Sequence, residues 1–180
     1  TPAQVPNRVV IVGGGNVAVD AASCAKLSGA AEVGMFCLES RKEMPASEEE
    51  IKEVLERGVS LTCGWGPKEI IKKNGNVSAI VFKRCLQVFD DDGRFAPQYD
   101  EEDTLTIECG MVIMSIGQAI EWGNLLDGSA VELGRGNGPV ADPLTYQTAQ
   151  EDIFVGGDVY TGPSFAINAI AAGHEGAISI

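Results

Sequence analysis

Positive charge is scarce in this chain: 13 Lys and Arg stand against 26 Asp and Glu, for a formal net charge of −13. Such a surface repels nucleic acid, whose binding needs clustered cations. His174 is the single histidine. It lies on the last helix, no Ser/His/Asp or Cys/His arrangement for nucleophilic catalysis is read around it, and no residue is assigned a catalytic role. The five cysteines, Cys24, Cys37, Cys63, Cys85 and Cys109, are widely spaced and form no C-x-x-C. Neither a zinc knuckle, a dithiol pair nor an iron–sulfur ligand set is read from them, and no metal is expected. Cys24 and Cys37 fall in apolar runs and read as buried, reduced thiols of a protein in the cytoplasm. Long hydrophobic runs are also lacking, as is a signal peptide at Thr1, so no membrane partner is expected.

What the chain has in quantity is apolar residues, 44% of 180, and 22 glycines. That is enough for one domain, or one and part of another, without disulfide or metal staples. Residues 9–12 are a β-branched run that reads as a buried strand, ending in Gly13-Gly14-Gly15. Residues 16–28 are Ala-rich and helical, with Gly29 as the stop, and residues 33–38 form a second strand. Together they make a β-α-β unit of roughly 30 residues. Ser47 and Glu50 fit a capping box, Ile51, Val54 and Leu55 give an apolar helical stripe, and Gly58 closes it. Val59, Leu61 and Cys63 alternate as a third strand.

The pattern then changes. Residues 69–72, 77–89 and 104–109 read as antiparallel strands, separated by Asn74-Gly75-Asn76 and Asp90-Asp91-Asp92-Gly93. Residues 111–116 form another apolar strand ending at Gly117. Residues 122–139 are a Gly-rich connection, 153–155 a last short strand into Gly156-Gly157-Asp158, and 165–180 a final apolar helix. The fold class is α/β, a Rossmann-like parallel sheet with a β-meander, and the expected division is 1–117 and 118–180.

Chemistry is concentrated at the first turn. Gly13-x-Gly15-x-x-Ala18, with Gly14, Asn16 and Val17 between, follows a strand, opens a helix and precedes a second strand. That spacing gives a tight turn, close backbone approach to a pyrophosphate and close helix–strand packing. The helix start aims its positive end at the phosphates. Glu39 ends the second strand, where an acid takes the adenosine ribose hydroxyls. A 2′-phosphate there would face like-charge repulsion, so NAD(H) is favoured over NADP(H). Arg41, two residues on beyond Ser40, pulls the other way, because it can swing to a phosphate.

Three stretches carry a family resemblance: residues 9–20 (VVIVGGGNVAVD), 39–46 (ESRKEMPA) and 153–159 (IFVGGDV). The chain resembles the pyridine-nucleotide-dependent flavoproteins of the glutamate synthase small-subunit type, in the pyridine nucleotide-disulfide oxidoreductase superfamily. Residues 112–118 resemble that family's crossover strand, with Gly117 and Gln118 at its end. The resemblance implies that Gly13, Gly15 and Ala18 hold the pyrophosphate of NAD(P)H. Asp20 stands where the superfamily often has an acid near the nicotinamide, or it is a surface acid. Gly157 and Asp158 resemble the second FAD motif, in which the aspartate accepts from a ribityl hydroxyl. The helix beginning at Ser164, Phe165 and Ala166 would face the flavin pyrimidine edge.

In two respects the chain departs from the family pattern. Leu38 and Glu39 stand where NADP-preferring members tend to have paired arginines. No earlier glycine loop for the FAD pyrophosphate is found, so residues 118–180 are expected to be an incomplete, C-terminal piece of the FAD domain. The parent enzyme implied passes hydride from NAD(P)H to FAD and electrons on to a partner subunit or iron–sulfur domain, and this piece is not expected to be active alone. The rival reading is a non-catalytic NAD(H)-sensing or partner-docking module. Phe165, Ile167, Ile170 and Ile178 need cover in either case.

Overall fold

The computed structural model describes residues 4–180. The chain separates into two compact units, Thr1–Gly117 and Gln118–Ile180. In the first, the elements run β1 (Arg8–Val12), α1 (Asn16–Leu27), β2 (Glu32–Cys37), α2 (Glu48–Glu56), β3 (Ser60–Cys63), β4 (Trp65–Lys73), β5 (Asn76–Phe89), β6 (Phe95–Glu108) and β7 (Met111–Met114).

The parallel sheet has the order β3-β2-β1-β7, and β4-β5-β6 form a separate antiparallel sheet. Val9, Val10, Ile11 and Val12 are all buried, which fits a central strand covered on both faces. Val9 and Ile11 join Met35 under Ala18, Ala22 and Ala25 of α1 and Ile51 and Val54 of α2. The three alanines let α1 lie close to the strands. On the other face Val10, Val12 and Phe36 pack with Ile80 and Phe82 of β5. There the Phe36 and Phe82 rings stack at 4.4 Å between centroids. The meander thus takes the place a helix layer would fill on the second face.

Cys37 is buried as expected, but Cys24 is exposed. The buried stripe of α1 runs through Ala18, Val19, Ala22 and Ala25, and Cys24 falls outside it. The antiparallel strands also reach further than their apolar content suggests. β6 takes in the acidic run 100–103, where Lys83 (2.5 Å) and Lys68 (3.6 Å) hold Glu101.

Half of the expected capping box at α2 is present: Ser47 Oγ accepts from the Glu50 N–H at 3.3 Å. The reciprocal bond is replaced. The Ser47 N–H donates instead to Asn16 Oδ1 at 3.1 Å, and Glu50 Oε2 is buried without a partner. Ser47→Ala is expected to lower stability by about 1 kcal/mol, read from chemical denaturation. A loss below about 0.3 kcal/mol would mean that the Asn16 bond alone fixes the start of α2.

The second unit contains the short α3 (Asp158–Thr161) and α4 (Ala166–Ser179). The strand expected at 153–155 is reduced to a bridge between Phe154 and Gln147. Tyr146 and Thr148 exchange backbone bonds with Val155 and Ile153, at 2.9 Å each. That pairing is too short to extend into a ladder. The Gly-rich stretch at 134–138 holds a 3-10 turn, Arg135–Asn137.

Candidate functional site

The turn after β1 uses its glycines for different reasons. Gly13 has φ +143°, and its N–H donates to the Phe36 carbonyl at 2.8 Å. A Cβ on Gly13 would lie 2.2 Å from the Ser115 carbonyl oxygen, so no side chain fits. At Gly14 a Cβ would meet Glu39 Oε2 at 2.8 Å and Cys37 Cβ at 3.2 Å. Gly15 differs: a Cβ there would touch only Pro45 Cγ, at 3.9 Å. Space within the chain therefore does not require glycine at position 15.

Gly15 is the N-cap of α1, and among the described residues no side chain caps it. Helix N-termini left this way present free N–H groups and a positive dipole end to an anion. Ala18 is fully buried beneath the turn, while Val17 is exposed beside it. Asn16 does not offer its side-chain oxygen outward, because the Ser47 N–H occupies it. Asp20 lies on the exposed side of α1.

The loop after β2 is fastened to this turn. The Ala46 N–H donates to the Gly14 carbonyl at 3.1 Å, and Met44 and Ala46 are buried with Pro45 between them. Glu39 is half-buried, with its carboxylate beside Gly14. Ser40 donates through Oγ (2.6 Å) and N–H (3.2 Å) to Glu43, which holds the Glu43 carboxyl below its ordinary range. Arg41 makes a two-pronged pair with Glu48, at 2.9 and 2.7 Å. Its guanidinium is therefore engaged on α2 and does not neutralise Glu39. Burial, and Cys63 beside it, push the Cys37 thiol far above its usual range, so it is no nucleophile.

The structure thus brings together residues 13–18, 39–41 and 44–47. Gly117 is exposed at φ +91°, and Gln118, also exposed, opens the second unit. In that unit Gly157 has φ +69°, and a Cβ there would sit 3.2 Å from Ala169 Cβ. Asp158 is exposed, and its Oδ1 accepts from the Ser164 N–H at 3.3 Å. Ser164 Oγ also accepts from Asn168 at 2.7 Å, and Phe165 caps α4 ahead of Ala166. Phe165, Ile167, Ile170 and Ile178 are all exposed.

Sequence reasoning missed Arg84. It pairs in register with Trp65 across β4 and β5, and its guanidinium lies 5.3 Å from the Trp65 ring centroid. No local motif marks it, because only the strand register carries it to the end of β2.

Among known proteins, the chain is 35% identical over 173 residues to the NADP(+)-dependent formate dehydrogenase subunit beta of Moorella thermoacetica, covering 96% of this chain and 24% of that one. It is 31% identical over 181 residues to the glutamate synthase [NADPH] small chain of Escherichia coli (strain K12), covering 96% of this chain and 38% of that one. It therefore spans well under half the length of these relatives. Among solved structures, thioredoxin reductase of T. acidophilum shares the fold, with a TM-score of 0.77 at 21% identity over 96% of this chain and 51% of that one. The model of a family of oxidoreductases matches residues 1–173, nearly the whole chain, and by that match the chain belongs to the pyridine nucleotide-disulphide oxidoreductase family.

Proposed function

We propose that this chain is the nicotinamide-dinucleotide-binding portion, with part of the FAD domain, of a flavin-dependent oxidoreductase that takes hydride from NAD(P)H. Residues up to Gly117 form the nucleotide domain, and residues 118–180 belong to the FAD domain. The observation that carries this reading is Gly15, a glycine no intramolecular contact demands, at the uncapped start of α1 with the Glu39 carboxylate one residue away over Gly14.

Gly15 and the first N–H groups of α1, at Asn16 and Val17, take the pyrophosphate, while Gly13 and Ala18 hold helix and strand close enough to aim them. Glu39 accepts from the adenosine ribose hydroxyls, flanked by Ser40 and Arg41. Asp20 is the candidate acid near the nicotinamide, and Gly117 and Gln118, at the end of the crossover strand, are further cofactor-binding positions. Gly157 and Asp158 stand at the ribityl chain of FAD, and Ser164, Phe165 and Ala166 bring the start of α4 to the flavin, where a helix N-terminus favours negative charge. When bound, the two cofactors supply the redox chemistry itself. The acceptor beyond FAD is held by a partner subunit or an iron–sulfur domain. The setting is the cytoplasm; no helix among the described residues is long and apolar enough to cross a membrane.

NADH is the preferred nucleotide on this reading. The relatives above are named for NADP(+) and NADPH, whereas here the Glu39 carboxylate stands unneutralised by Arg41. Titration of the full chain, followed by nicotinamide fluorescence, is expected to show saturable NADH binding about tenfold tighter than NADPH. Glu39→Gln should weaken NADH about tenfold, the worth of a charge-assisted hydrogen bond, and narrow the difference. Tighter NADPH binding to the original chain would overturn the preference; binding of neither would overturn the site.

A further inference from the structure

A groove of about 530 Å³ lies between the loop that follows β2, where Leu38, Ser40 and Arg41 flank Glu39 in sequence, and the second half of β5. Its polar lining includes Ser40, Arg41, Glu43, Arg84 and Gln87. Glu43 is spent on Ser40 and Arg41 on Glu48. Arg84 is exposed, and among the described residues no carboxylate pairs with it. Its guanidinium is held against Trp65 and beside Gly64, where a Cβ would stand 3.5 Å from its central carbon. Gly64 in turn donates its N–H to the Glu39 carbonyl at 3.2 Å and accepts from the Cys85 N–H at 2.9 Å. One glycine therefore ties the end of β2 to the strand that bears the free cation.

We propose that this groove receives the 2′ side of the adenosine, and that Arg84 is a specificity-determining residue for a nucleotide carrying a 2′-phosphate. The inference rests on the dinucleotide reading of the glycine turn. Glu39 penalises a 2′-phosphate by like charge, while the Arg84 guanidinium, linked to Glu39 through Gly64, offers it a planar fork of donors. The cation–π contact with Trp65, 5.3 Å from the ring centroid, restrains the guanidinium. Glu43, charged and lining the same groove, limits the attraction. The consequence is a site in which NADH binds more tightly but NADPH is still admitted, through Arg84.

The test uses the full chain with NADH, NADPH, ADP and 2′,5′-ADP as probes. Arg84→Gln is expected to weaken NADPH and 2′,5′-ADP about tenfold while leaving NADH and ADP within twofold. Arg84→Lys, which keeps the charge, is expected to keep NADPH within about threefold and serves if the glutamine variant does not fold. Equal loss for all four probes would make Arg84 a structural support and overturn the inference. No change for any probe would overturn it too, with the dinucleotide site intact. Failure of the original chain to bind any probe would remove both the site and the inference.

Discussion

Gly15→Ala is expected to leave the chain folded, with stability within about 1 kcal/mol of the original, and to cost NADH binding about 100-fold. The backbone there is extended, with φ −92° and ψ 175°, so alanine adopts it without strain. The nearest atom to the new methyl is Pro45 Cγ at 3.9 Å, an ordinary contact. Inside the protein the substitution therefore costs little beyond the weaker cap. A pyrophosphate that approaches the Gly15 backbone would meet the methyl directly and lose the short N–H contacts that hold it. Isothermal titration for affinity and urea denaturation for stability separate the two. Unchanged NADH affinity would remove Gly15 from the pyrophosphate site, whatever happens to stability.

Gly13→Ala should fail in the opposite way. The new Cβ would lie 2.2 Å from the Ser115 carbonyl oxygen and 2.9 Å from its carbon, both backbone atoms that cannot swing aside. The φ of +143° is itself foreign to alanine. Relief requires β1 to part from the segment after β7, where the Ser115 N–H bonds the Val12 carbonyl at 2.7 Å. The expected loss is about 3 kcal/mol or more, a large fraction of a domain's stability. A loss below about 1 kcal/mol in urea denaturation would show that the turn can relax. Neighbouring glycines two residues apart thus separate folding from binding.

The parts of the fold legible in the sequence are those whose signal is local. Residues 9–38 announce a strand, a glycine turn, a helix and a strand within one short window, and the observed elements follow that order. Ser47 as a helix cap is legible for the same reason. The partner of the Ser47 N–H is not, because Asn16 lies across the fold and a capping box supplies a nearer candidate. The setting of Arg84 is illegible because strand register, not local sequence, brings it against Trp65 and Gly64. Cys24 illustrates another limit: an apolar neighbourhood in sequence does not say on which side of a helix a residue falls. The acidic run 100–103 within β6 hides its strand character until Lys68 and Lys83 are seen to hold Glu101.

The position of β1 between β2 and β7 also bears on how the chain reaches this state. Val9 pairs with Val33 on one side and with Met111 on the other. The first neighbour is available soon after the chain turns back, but the second waits until the whole meander has been traversed. Bringing such distant segments together carries a loop-closure entropy that local hairpins do not have. The β4-β5-β6 hairpins pair near neighbours in sequence and lie within that loop. The Gly13 turn, packed against Ser115, therefore joins segments about 100 residues apart in sequence, and its loop-closure cost is that of the whole first unit.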